Sequence, residues 1–548
     1  MKSPRAALLC ALLVAARVAA AARVEYDWTI SKIDVKMDGV RERGAVAVNG
    51  KVPMPLARAS LGDTLVLRLR NNLDERTGLH SHGIFNNGTN YYDGAGGITE
   101  CGVAPGSQME YEIPVVQTGT YWLHGHHNSQ YINGLRGPLV ITDPSGEPYD
   151  YDEDIVLTLE DWYPHYSNKT MGSGGHMEGM GHVRSYQGCS HTDYQSAGGA
   201  GTPECHDNST APFDPAEKYP VGVINGVYGE SAPELNFEPG KTYRIRVLNI
   251  GSTAMFRFAV GGHEMYVIEA DGVATEMKKV SSVVVAVAQR VSVLVRALPT
   301  ADVNHKYHFE LFTDVFPQFP GFNPRAYEGT VVYDADSNAV APSTLVAEEF
   351  DDLSLVPLDR KPLLENPDVV HEVVITADRG DSGIVKAYVN GVSFMMPERP
   401  SLLTAMAYQG RELINATAFG RNTNALVVRH MDVVELRVVN RDSVAHPMHM
   451  HGYFFQIVER GTLDSPGSAV RSTRTPMHRD TTIVGPGTYA VLRIRADSPG
   501  VWLMHCHIEL HMELGLAMLL ITGPEKIAKT MALPPAMREQ CRLLGIPV

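Results

Sequence analysis

Gly62-Asp63-Thr64-Leu65-Val66-Leu67-Arg68-Leu69-Arg70-Asn71 is a run with alternating apolar positions that closes on an asparagine. The same form returns at Gly240-Lys241-Thr242-Tyr243-Arg244-Ile245-Arg246-Val247-Leu248-Asn249 and at Met431-Asp432-Val433-Val434-Glu435-Leu436-Arg437-Val438-Val439-Asn440. A period of two marks a β-strand, so the chain repeats one β unit three times. Nine and eleven residues beyond the asparagine stand His80 and His82 in the first copy, His449 and His451 in the third, and Phe258 and Val260 in the second. A later element also recurs: Gly119-Thr120-Tyr121-Trp122-Leu123-His124-Gly125-His126 matches Gly500-Val501-Trp502-Leu503-Met504-His505-Cys506-His507. Pro- and Gly-bearing turns separate the units, and long helical periodicity is scarce. An all-β chain of three antiparallel sandwiches is expected at 23–145, 150–335 and 365–525, followed by a tail at 526–548.

The paired histidines carry the chemistry. Residues i and i+2 of a strand share a face, so each His-x-His aims two imidazoles at one point while the middle residue looks away. One such pair is ordinary in a protein core; four in one chain point to metal. In His505-Cys506-His507-Ile508-Glu509-Leu510-His511 the cysteine must therefore face a different metal from its two neighbours. Thiolate with imidazole suits copper, and two histidines, a cysteine and a weak axial position describe an electron-transfer copper. Eight imidazoles divided between the first and third units share a centre only if those units meet face to face.

At 548 residues the chain is long enough for two to four domains, and 44% apolar content is ordinary for a globular protein. A formal charge of −15 without a basic run argues against nucleic acid and favours cationic or neutral substrates. Met1-Lys2-Ser3-Pro4-Arg5, the apolar stretch from Ala6 to Val14 and small residues at Ala20 to Ala22 read as a secretory signal over 1–22, too short to span a bilayer comfortably. No other stretch reaches eighteen apolar residues, so a secreted chain without a transmembrane anchor is expected. Sequons at Asn87, Asn168, Asn208 and Asn415 are compatible with glycosylation. Cys10 leaves with the signal and Cys506 goes to metal, so Cys101, Cys189, Cys205 and Cys541 remain for two disulfides.

With these motifs the chain resembles the multicopper oxidases of the laccase and ferroxidase group over nearly its whole mature length. The resemblance implies cupredoxin-like Greek-key sandwiches and four copper ions. It implies that His446, Cys506 and His511 bind a type 1 copper, and that His80 and His449 bind a type 2 copper. His82, His124, His126, His451, His505 and His507 then bind a type 3 pair. His80-Ser81-His82-Gly83 lacks the aromatic residue of the family motif, and Met448 and Met450 also depart from it, yet no ligand is touched. Asp93 matches an aspartate near the trinuclear cluster and Glu509 an acid credited with proton delivery; a turn residue and a helix-surface charge are the plain readings. Leu516 stands where an axial methionine would lower the potential. Cys101 and Cys541 resemble the family's link between first unit and tail.

The implied reaction couples four one-electron oxidations to reduction of O2 to water. For its substrate, the expectation is a laccase-like preference for phenols and aromatic amines. Ferroxidase activity follows, because Asp161 and Asp442 stand where the iron-uptake ferroxidases of the family carry acids, with Asp314 a looser third. The loop Gly251-Ser252-Thr253-Ala254 lacks the acid that fungal phenol oxidases carry nearby. A His-, Met- and Gly-rich segment at 170–206 reads as an inserted surface loop, with cuprous oxidation or metal loading as the alternative and Cys189–Cys205 as a possible staple. A non-enzymatic copper carrier would need an incomplete cluster, and all eight histidines are present. A monomer is expected.

Overall fold

A computed structural model describes residues 21–39, 42–163, 220–300, 303–312, 325–347, 350–379, 385–397, 399–408, 410–472 and 474–548. The signal segment 1–20, the segment 170–206 with its cysteines, and Asp314 lie outside the described residues. The remainder forms six sheets, two in each of three successive units. The three repeated runs are the strands Thr64–Asn71, Thr242–Asn249 and Val433–Asn440, each inside the first sheet of its unit. Their alternation buries one face against the second sheet, giving a separate apolar core in each sandwich.

The closing asparagines have one structural job. Asn71 donates to the Glu75 and Val103 carbonyls and accepts from Leu73 N–H. Asn249 does the same with Ala254, Val285 and Gly251. Asn440 does so with Val444, Val484 and Asp442. All three are fully buried, and each satisfies backbone groups where the chain leaves one sheet for the other. In the third unit the same device fixes Asp442.

The expected antiparallel order needs correction, because each unit also contains two parallel pairs. Arg23–Val35, Glu153–Trp162 and Val369–Arg379 run parallel to the asparagine-closed strand of their own unit. Ala57–Ser60, Leu235–Asn236 and Leu426–Val428 run parallel to the last strand of the second sheet. Parallel neighbours cannot be joined by a tight hairpin. Here the chain crosses to the other sheet between them, a step that strand periodicity does not reveal.

Two features tie the units together. The tail forms helices Pro524–Thr530 and Pro535–Leu543, and Cys541 is disulfide-bonded to Cys101 of the first unit across 440 residues. At the seam between second and third units, Arg479 gives two hydrogen bonds to Asp271 at 2.8 and 3.0 Å and one to Asp352 at 2.8 Å. Arg460 also binds Asp352, and all but Arg460 are buried. No helix among the described residues is long and apolar enough to cross a membrane.

Burial acts to raise the Asp352 carboxyl, but Arg460 and Arg479 outweigh it and hold it well below the usual carboxylate range. Removing one partner of a buried pair leaves an uncompensated charge, so Asp352→Asn should cost about 3–5 kcal/mol, read as a lower Tm. A depressed carboxyl stabilises above its unfolded value of about 4 and loses that contribution as pH falls. The Tm gap between wild type and variant is therefore expected to be full at pH 7 and to narrow below about pH 4; a gap independent of pH would contradict the pairing.

Candidate metal centres

Strand register brings the paired histidines together. Leu79–His82 lies antiparallel to Gly119–Gly125 with His80 opposite His124, and His446–Met450 lies antiparallel to Gly500–Cys506 with His449 opposite His505. The next positions are Leu79 opposite Gly125 and Met448 opposite Cys506. Gly125 is thus the counterpart of Cys506, and Phe258 opposite Phe309 is an apolar pair in the core of the middle unit. The first and third units face each other across the eight imidazoles. His80 stacks on His451 at 3.9 Å and His82 on His449 at 3.8 Å, while His124 lies 5.3 Å from His507 and His126 5.6 Å from His505.

Hydrogen bonds settle which ring nitrogen carries the proton. A carbonyl only accepts, so Nδ1–H donates from His80 to Asp93 O at 2.6 Å and from His449 to Asp480 O at 2.8 Å. His124 and His505 donate likewise to the carbonyls of Gly125 and Cys506 at 3.0 and 2.9 Å. The Nε2 atoms of His80, His124 and His449, Nδ1 of His82 and both ring nitrogens of His126 and His507 have no hydrogen-bond partner among the described residues. Burial, reinforced by neighbouring imidazoles, pushes His82, His124, His126, His449 and His505 far below the usual histidine range. His451 falls to about 4 and His507 to about 3. Neutral rings with buried, unshared lone pairs are what a copper cluster needs, so the residues fit the metal.

A second group lies on the other face of the Gly500–Cys506 strand. His446 Nδ1 is 3.4 Å from Cys506 Sγ, His511 Nδ1 is 3.6 Å from it, and the two nitrogens are 3.1 Å apart. Burial pushes the Cys506 thiol well up, so its thiolate forms when a cation takes the proton's place. Leu516, fully buried, shares the apolar cluster around Cys506, and its carbonyl accepts from Cys506 N–H at 3.1 Å. Cys506 therefore belongs to one group while His505 and His507 belong to the other.

The four acids expected from the sequence that fall in the described residues separate sharply. Asp93 Oδ2 accepts from His451 Nδ1 at 2.8 Å; burial would raise its carboxyl, but His451 and His80 hold it below the usual range. Asp442 Oδ2 accepts from His446 Nε2 at 3.1 Å with its side chain 16% exposed, and this bond together with the Ser443 amide outweighs burial and lowers its carboxyl. Glu509 is buried beside the second group, its amide donates to Ser252 O at 3.1 Å, and burial followed by Glu513 pushes its carboxyl well up. It is not the surface charge of the plain reading. Asp161 is not brought to the second group: it is buried, and its oxygens accept from Ser252 N–H and O–H, Thr253 N–H and Ala254 N–H at 2.7, 3.0, 2.7 and 2.8 Å. It holds the 251–254 loop.

Asp480 escaped the sequence reading. Its Oδ1 accepts from His82 Nε2 at 3.1 Å and its backbone carbonyl from His449. The available clue was Arg479-Asp480-Thr481, polar residues at the start of the buried strand Thr481–Val484. A carboxylate met without a paired histidine beside it gives no sign of its partners.

The matches to known proteins accord with this geometry. Family models described as multicopper oxidase match residues 29–146, 153–319 and 394–526. The chain is 34% identical to the iron multicopper oxidase fer1 of Mycosarcoma maydis, covering 99% of this chain and 86% of that one. It is 31% identical to the iron transport multicopper oxidase FET3 of Saccharomyces cerevisiae, covering 91% and 75%. Among solved structures, Fet3p, a multicopper oxidase that functions in iron import, superposes with a TM-score of 0.81 at 28% identity over 96% of each chain. A laccase from Botrytis aclada gives 0.72 at 25% identity over 95% and 92%.

Removing the metal with a chelator is expected to lower Tm, because the unpaired nitrogens lose the partner that offsets their burial, and copper should restore it. A ligand present at a hundredfold of its Kd stabilises by about 2.7 kcal/mol. A Tm indifferent to copper would show that these rings do not hold it.

Proposed function

The chain belongs to the multicopper oxidases, copper-dependent oxidoreductases with O2 as acceptor, and we propose that Fe(II) is its reducing substrate. In this reading His446, Cys506 and His511 hold the type 1 copper, and His80 and His449 the type 2 copper. His82, His124, His126, His451, His505 and His507 hold the type 3 pair. When bound, the four coppers take up electrons singly and deliver them to O2, so that four Fe(II), O2 and four protons give four Fe(III) and two waters.

The protein's own residues supply entry, path and protons. The observation that carries the iron reading is the Asp442–His446 hydrogen bond: a hard, partly exposed carboxylate joined directly to the imidazole beside Cys506. Such an oxygen suits a hard cation better than a phenol, and the charge of −15 favours cation approach. The names of the relatives, an iron multicopper oxidase and an iron transport multicopper oxidase, agree with it. This reverses the order of the two substrates expected from sequence. Asp161 drops out as an iron ligand because it is buried and holds the 251–254 loop, whereas Asp442 is partly exposed. From Cys506 the covalent backbone leads one residue either way to His505 and His507. Glu509 is the buried carboxyl that holds a proton beside the second group, while Asp93, an ionised carboxylate, receives the His451 N–H at the first. The signal-like segment supports secretion.

Phenol oxidation is the second reading, favoured by Leu516 at the axial position and by the likeness to the Botrytis laccase. One preparation assayed with Fe(II), Cu(I) and a dimethoxyphenol separates these. The highest kcat/KM is expected for Fe(II). Asp442→Ala should lower that value by about tenfold or more, equivalent to about 1.4 kcal/mol of transition-state stabilisation, while phenol turnover changes little. Unchanged Fe(II) turnover in the variant would end the iron reading. Cys506→Ser should abolish both the intense visible absorption and all oxidase activity.

A further inference from the structure

The two outer units place one aspartate each in the same relation to the histidines. Asp93 accepts His80 on its backbone carbonyl and His451, from the other unit, on its carboxylate. Asp480 accepts His449 on its backbone carbonyl and His82, again from the other unit, on its carboxylate. The pair is symmetric except for one residue, and that residue comes from the middle unit, which has no paired histidines. Arg290 opens the strand Arg290–Arg296 and is fully buried. It grips Asp480 with both ends of its fork, Nη1 to Oδ1 at 2.8 Å and Nη2 to Oδ2 at 2.7 Å.

We propose that the middle unit takes part in the copper cluster through Arg290, a positioning residue that fixes the Asp480 carboxylate and thereby orients His82 and His449, one imidazole from each outer unit. The inference rests on assigning the eight histidines to a three-copper cluster. A planar fork matched to a carboxylate leaves it no rotation, and the fork is itself immobilised. Arg290 Nε donates to Thr120 O of the first unit at 2.9 Å, Nη1 also donates to Ala288 O at 3.1 Å, and its backbone N–H donates to Asp271 at 2.8 Å. Gln289 adds a second link through Nε2 to Thr481 O at 3.1 Å, and Thr481 Oγ1 donates to Asp480 at 2.9 Å. Gly83, directly after His82, leaves the room: a Cβ there would lie 2.8 Å from both Arg290 Nη2 and Asp480 Oδ2. Asp93 has no arginine, and its Oδ1 has no hydrogen-bond partner among the described residues. One aspartate is gripped by a guanidinium, while its counterpart is held among the described residues by imidazoles, with His80 Nδ1 3.4 Å from its Oδ1.

Arg290→Met and Arg290→Lys, purified with copper, test this. Copper per chain, the electron paramagnetic signature of the type 2 copper and the near-ultraviolet absorption of the type 3 pair are read beside the visible band of Cys506. The visible band reports an intact third unit. Losing an outer partner of a metal-bound histidine costs roughly 10- to 100-fold in metal affinity or activity. Arg290→Met should therefore lose cluster copper or shift the type 2 signature while keeping its visible band, and Arg290→Lys, with a point charge in place of the fork, should fall between it and wild type. If Arg290→Met loses the visible band as well, Arg290→Lys alone decides by the same readings. Full copper and unaltered type 2 and type 3 spectra in variants whose only change is a lower Tm would overturn the proposal. A wild type lacking the cluster spectra would instead sink the cluster assignment itself.

Discussion

Leaving a buried hydrogen-bonding nitrogen without a partner costs about 1–3 kcal/mol, and six imidazoles between the first and third units do so on at least one nitrogen. A metal bound by these rings would return that energy. The rest of the molecule is organised to keep these rings neutral, aimed and dry. Paired strands set two rings per face, carbonyls fix the tautomers, and two sandwich ends close over the cluster. The second group depends on the same strand: because neighbouring side chains point to opposite faces, a thiol placed between two cluster histidines must look outward toward His446 and His511.

The middle unit has no paired histidines, and its part in the molecule is contact at two levels. Its Asp271 receives Arg479 and, with Asp352, pins the third unit. Its Gln289 and Arg290 reach the strand that carries Asp480. A unit that has given up metal ligands can still be held to its sequence by the charges it buries against its neighbours.

Strand periodicity and the His-x-His spacing made the β units and the eight paired histidines legible, because both are local properties of one stretch of chain, while the grouping of His446, Cys506 and His511 came with the family resemblance. The parallel pairs were not, since they depend on crossings between sheets. The acids were read unevenly for the same reason. Asp93 and Asp442 have partners a few residues from a marked motif or within it. Asp480 and Arg290 meet across 190 residues of sequence, and neither residue type advertises the other. Asp161 looked like a substrate acid by position, yet its surroundings are four donors, which only the folded loop at 251–254 reveals.

The Cys101–Cys541 bond gives the cluster interface a property that contact geometry does not. It closes a covalent ring that runs from Cys101 in the first unit through the whole of the second and third, with the tail fastened to the flank of the first. The two halves of the cluster are then never independent particles. Should their interface part, they stay at the effective concentration of a tethered pair, on the order of millimolar for short flexible connections, and rejoining is a unimolecular event. For a protein working at high dilution, that makes integrity of the cluster a matter of topology, independent of how much protein surrounds it.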